Sequence, residues 1–65
     1  MRKIFTDRKE GGKFVLNGDN HRHLAFSLRS RIGDKLIVCH DGTDYECEIT
    51  AITKTETILK ILCYR

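Results

Sequence analysis

The chain has 65 residues, a net charge of +3, 40% apolar and 32% charged side chains, and no proline. At that length folding hides only about 60% of the surface the unfolded chain exposes, which leaves room for one small, marginally stable domain and little space for a deep catalytic pocket. The composition reads as soluble and globular, and no apolar run approaches the roughly 18 residues that a membrane span needs.

The opening "MRKIFTDRKE" lacks the apolar stretch of a secretory signal, so the expected location is cytoplasmic. Within it, Met1 to Thr6 reads as a short strand. "DRKEGGK" is polar, and Gly11-Gly12 marks a turn. "KFVLN", residues 13–17, is a second β-rich run. Gly18, Asp19 and Asn20 follow, with Asp19 or Asn20 expected to cap a helix by accepting from its first free amides. Leu24 and Leu28, four apart on one face and joined by Phe26, give a short helix over about residues 21–29. Arg29 and Arg31 fall near its C-terminal end, where cations suit the macrodipole, and Gly33-Asp34 closes the element.

The second half is β. "KLIVCH", residues 35–40, is a strand, and Asp41-Gly42 before another β-rich run is a hairpin signal. "DYECEITAI" alternates, with Tyr45, Cys47, Ile49 and Ala51 on one face and Asp44, Glu46, Glu48 and Thr50 on the other. The alternation breaks near Ala51-Ile52, which suggests a bulge. "TKTE" turns the chain into a last strand, "TILKILCY". The expected fold class is mainly β: a small five- to six-stranded barrel with one short helix after the second strand, plugging one end.

Three cysteines, Cys39, Cys47 and Cys63, are an odd number in apolar or alternating segments, and are read as buried, reduced thiols. Among the aromatic side chains, Phe5, Phe14, Phe26, Tyr45 and Tyr64 mostly occupy core-like positions. Two histidines at 21 and 23 point about 200° apart on a helix, and His40 lies in a strand, so no metal site is expected. The same sequence offers no lysine-serine phosphate loop and no oriented nucleophile–base set, so no catalytic residue is assigned.

Charge is distributed unevenly. Residues 1–35 hold nine basic against four acidic residues, a net +5, and residues 36–65 hold three against five, a net −2. Composition alone leaves open whether the basic half is a phosphate-facing side or scattered solvating charge. Two readings remain: a nucleic-acid-binding barrel whose arginines track a phosphate backbone, and a protein-docking barrel that uses the acidic strand face of Asp44, Glu46 and Glu48.

"MRKIFTD", then "LNGDNHRHLAFSLRSRIGDKLIVCHDG", then "YECEI" resembles the N-terminus of the RsmE family, bacterial methyltransferases that act on N3 of a uridine in 16S ribosomal RNA. His23-Leu24, Leu28-Arg29, Arg31, Gly33-Asp34, Asp41-Gly42 and Tyr45 fall on the family pattern at its spacing. Ser27 stands where the family usually has valine, and Arg22 where the first of two histidines is common. The resemblance implies that residues 1–65 are a PUA-like RNA-binding domain. A catalytic SPOUT domain, absent from this chain, would bind S-adenosylmethionine and form the homodimer of the full-length protein. The chain itself would then hold no cofactor and transfer no methyl group. Its partners would be 16S ribosomal RNA or the small ribosomal subunit, and the missing catalytic domain. The candidate RNA contacts are Arg2, Lys3, Arg22, His23, Arg29 and Arg31. The alternative is a docking module for the catalytic domain or a partner subunit, with no direct RNA contact.

Overall fold

The computed structural model describes residues 3–6 and 9–64. In chain order it runs β1 (Lys3–Phe5), β2 (Lys13–Asn17), a helical turn α1 (Gly18–Arg22) continuing as a π-helical turn (His23–Ser27), then β3 (Lys35–His40), β4 (Thr43–Ile52) and β5 (Glu56–Tyr64). The strands form one curled five-stranded sheet in the order β1-β3-β4-β5-β2, with β1 parallel to β3 and the other pairs antiparallel. The expected mainly β class, with one short helix after the second strand, is what the chain adopts.

Alternation builds the core. Phe14 and Leu16 on β2, Leu36 and Val38 on β3, Cys47 and Ile49 on β4, and Leu59 on β5 all turn inward and are buried. Ile4 of β1 and Leu24 of the π turn close the cluster, with Leu28, Tyr45, Ile52 and Ile61 packed against it. The Asp41-Gly42 hairpin forms as expected. Both central residues have positive φ (52° and 81°), the two-residue turn whose twist matches its strands. Two bulges then reset which face each strand presents. In the β4–β5 register Ile49 pairs with Leu59 but Ala51 with Ile58, so Thr50 is the extra residue. Ile52, opposite the buried Thr57, therefore faces inward, and Ala51 leaves the face that the alternation assigned to it. Similarly, Glu46 pairs with Cys63 but Cys47 with Ile61, which makes Leu62 the extra residue on β5.

The helix differs from expectation at both ends. It starts at Gly18, directly off β2, so the N-cap is Asn17, whose side chain makes no capping bond. Neither Asp19 nor Asn20 caps it. Asp19 pairs with Arg22 at 2.6 Å, and Asn20 Nδ2 donates to the Phe5 carbonyl at 3.1 Å, fastening α1 to β1. Past Arg22 the coil widens, and the Leu28 amide donates to the His23 carbonyl five residues back at 2.9 Å. The Ser30 amide closes the end by donating to the Leu24 carbonyl at 2.8 Å, with Arg29 between them at φ 51°. This is the closure that usually takes glycine in the left-handed position, made one residue wider.

Several side chains expected in the core are outside it. Phe5, Phe26 and Tyr64 are exposed, while Phe14 and Tyr45 pack inside. The cysteines divide as well: Cys47 is buried, Cys39 is half-buried and Cys63 is exposed. Burial pushes the Cys47 thiol up to about 11, with the nearby Cys63 and Glu46 groups adding to the rise, so it stays protonated at neutral pH.

Candidate functional site

The helix and the loop behind it carry Arg22, Arg29 and Arg31, all exposed. The anchor of this surface is His21, a residue to which the sequence pattern gave no role. The imidazole is 2% exposed, with Nδ1 2.9 Å from Thr57 Oγ1 and Nε2 3.0 Å from the Lys54 carbonyl oxygen. A carbonyl only accepts, so Nε2 carries a proton, and in the neutral ring Nδ1 accepts from the Thr57 hydroxyl. Phe26 covers the ring edge-on at 5.8 Å. One buried side chain thus pins the helix to the β4–β5 turn and to the first residues of β5.

This anchor brings Arg22 beside Lys54. Both line a shallow depression of about 270 Å³, with Gly18, His21 and Thr55. Sequence reasoning missed Lys54, because it sits in a polar turn far along the chain, and only the His21 contact explains why it faces Arg22. His23 is one of the RNA contacts that the family resemblance suggests. His23 is exposed, and the packing role belongs to His21.

Arg29 and Arg31 flank the buried Ser30 and are both exposed. Their loop is held firmly. The Asp34 carboxylate accepts from the Arg31 backbone amide at 2.8 Å, the Gly33 amide donates to the Ile49 carbonyl at 2.8 Å, and the Ile49 amide returns a bond to the Asp34 carbonyl at 2.9 Å. Arg29 and Asp34, five residues apart, form no ion pair. Asp34 instead serves the backbone, and among the described residues neither guanidinium has a salt bridge.

Lys3 lies elsewhere. It stands on edge strand β1, 3.3 Å from Asp44 Oδ2 on the acidic face of β4, with its ammonium also 5.6 Å from the centre of the Phe5 ring. Arg2 falls outside the described residues. The outer face holds a second basic feature that the strand register creates. Lys35 is opposite Glu48, Glu48 opposite Lys60, and Lys60 opposite Lys13. Four strands at about 4.8 Å spacing therefore carry three lysines and one glutamate in a single row. Among the described residues no group of three or more His, Cys, Asp or Glu side chains is arranged to hold a metal ion. The same residues include no helix long and apolar enough to cross a membrane.

A family model described as the RNA methyltransferase PUA domain matches residues 16–62 of this sequence. The chain belongs to that family. No curated protein sequence matches this PUA domain. Solved structures do share its fold. It is similar to a hypothetical protein at 22% identity, with a TM-score of 0.88 over 97% of this chain and 28% of that one. It is similar to a predicted RNA methyltransferase from Thermotoga maritima at 17% identity, with a TM-score of 0.85 over 100% of this chain and 30% of that one. A third is a ribosomal RNA small subunit methyltransferase E from Neisseria gonorrhoeae, bound to S-adenosyl methionine. It matches at 19% identity, with a TM-score of 0.82 over 100% of this chain and 28% of that one. The PUA domain therefore spans only about three-tenths of the length of these relatives.

Proposed function

We propose that this PUA domain positions small-subunit ribosomal RNA for an RsmE-like uridine N3 methyltransferase. In this reading a separate catalytic domain of the same protein binds S-adenosylmethionine, forms the homodimer and performs the transfer in the cytoplasm. The PUA domain grips RNA by shape and phosphate contacts rather than by reading bases. Arg22, Arg29, Arg31 and the newly placed Lys54 supply the cations.

The observation that carries the proposal is the state of Arg29 and Arg31. They are exposed, on a loop fixed to β4 by two backbone hydrogen bonds and braced within itself by the Asp34 carboxylate, and free of salt bridges among the described residues. A guanidinium held ready and unpaired has the right chemistry for a phosphate, because no internal carboxylate must first be displaced. Each such contact releases condensed counterions when it forms.

The test is a salt titration of affinity for a structured fragment of small-subunit RNA. Arg29→Gln and Arg31→Gln should each flatten the slope of log affinity against log salt by about one while leaving the circular dichroism spectrum unchanged. Unchanged slopes in both variants, or an affinity indifferent to salt, would reject the proposal.

Lys3 supports the second reading for one part of the surface. Its ion pair with Asp44 places it within the acidic face of β4, where a phosphate would be repelled. That face suits a docking contact with the catalytic domain or a partner subunit. Lys3→Gln should accordingly leave the RNA salt slope unchanged.

A further inference from the structure

The arginine surface leaves unexplained an open groove of about 840 Å³, bordered by Lys9, Gly11, Gly12, Tyr45 and residues 61–64 of β5, Ile61 and Leu62 included. It lies at the far end of β5 from the His21 anchor: Thr57 and Tyr64 are seven residues apart on that strand, roughly 23 Å. We propose that this groove holds one unpaired nucleotide of RNA, its base stacked on Tyr64 and its phosphate near the Lys9 ammonium. The proposal rests on the RNA-binding reading above, but uses different residues and a different mode of contact.

The bulge at Leu62 makes the site. Thr57, Leu59 and Ile61 face inward along β5, and without the extra residue Cys63 would follow them. With it, Cys63 turns outward opposite Glu46, and Tyr64 comes in beside Tyr45, their ring centres 5.8 Å apart. Tyr45 is itself fixed from behind by Phe14, at 5.3 Å and edge-on, and by His40 at 6.5 Å. The inner ring is therefore rigidly backed, while Tyr64 is 71% exposed and has a face to offer. A bulge that re-aims an aromatic side chain at the rim of a curled sheet is a recurrent way to build a binding edge.

The groove is largely apolar and aromatic, and the one cation beside it favours a nucleotide over an apolar partner. Lys9 Nζ lies 5.8 Å from the Tyr45 ring centre, so a cation stands beside the stacking surface. Covering that ammonium with apolar protein would cost its hydration, whereas a phosphate would neutralise it. Two carboxylates stand at this corner, and Asp44 and Glu46 share a smaller neighbouring hollow with Cys63 and Tyr64. Asp44 and Glu46 lie on the outer face, where Asp44 is taken by Lys3 at 3.3 Å and Glu46 accepts from Cys63 Sγ at 3.7 Å. Gly11 and Gly12 add no side chain to obstruct the groove, and a Cβ at either would meet nothing within 4 Å.

The chain provides its own reporter, since it has two tyrosines and no tryptophan. Titration with single-stranded oligouridine should quench tyrosine emission as the complex forms. Tyr64→Leu should weaken oligouridine binding about fivefold or more, whereas Tyr64→Phe, which keeps the ring, should bind like the parent. Lys9→Gln should flatten the salt slope by about 0.7. Emission that does not change at saturation, or Tyr64→Leu binding as tightly as the parent, would overturn the proposal. So would a Tyr64→Leu chain that changes from dimer to monomer on sizing, because the groove would then be a contact between copies. The arginine variants on structured RNA report separately, so failure of the groove and failure of the RNA-binding reading are distinguishable.

Discussion

Phe14→Ala should strongly destabilise the domain. Phe14 is fully buried, and its ring touches the rings of both Tyr45 and His40. Truncating such a ring costs about 3–5 kcal/mol, the lost transfer energy plus the cavity left behind. A domain of 65 residues has roughly 3–10 kcal/mol in total at the usual stability per residue, so the substitution takes a large part of it. Denaturant unfolding followed by circular dichroism would check this. A midpoint close to the parent's would mean that the neighbouring aromatic rings collapse into the space, and that the core is less tightly specified than its burial implies.

His21→Leu should destabilise the domain by about 2–4 kcal/mol, although it replaces a polar side chain with an apolar one of similar bulk. The ring serves two partners, the fully buried Thr57 hydroxyl and the part-buried Lys54 carbonyl. Each buried group left unsatisfied costs about 1–3 kcal/mol. Thr57→Val removes one of those orphans in advance, so the double variant should be less destabilised than the two single losses added together. Strict additivity in that cycle would show that the imidazole–hydroxyl contact is not formed in solution. The cycle also bears on function, because the anchor holds Arg22 and Lys54 at one depression. His21→Leu chains that remain folded should bind RNA more weakly than their surface charge predicts.

The strands were legible because each buries one face. Phe14 and Leu16 alternate with Lys13, Val15 and Asn17, and the structure gives a strand with the bounds expected for that run. The Asp41-Gly42 turn was legible because positive φ at both central positions restricts the choice of residues. The helix was harder. Leu24 and Leu28 marked its apolar side, but the pattern does not distinguish an ordinary turn from the π-helical turn that carries Leu24. His21 lies three before Leu24 and seven before Leu28, on the same side of a helix, and that spacing was the available sign of its burial. The Leu62 bulge left no comparable trace. Nothing in "KILCY" announces an extra residue, since the shift exists only relative to β4. For that reason Tyr64 reads as core in the sequence and stands open in the fold. Arg22, Arg29 and Arg31 are all exposed. Which of them would be free of a carboxylate depended on Asp19 and Asp34, and these two acids serve different partners, a side chain and a backbone amide.

The order of the strands has a consequence for how the chain is made. β3, β4 and β5 are neighbours in sequence and in space, so they form a local meander, but among the strands of the described residues β1 pairs with β3 and β2 with β5. A ribosome releases the first half of this polypeptide before either of those templates exists. The basic segment must therefore wait in the open, without ladder partners, until the acidic hairpin emerges behind it, and β2 cannot settle until the last strand has left the exit tunnel. Vectorial synthesis thus gives the hairpin the part of an internal scaffold, onto which the earlier and more cationic half is laid last.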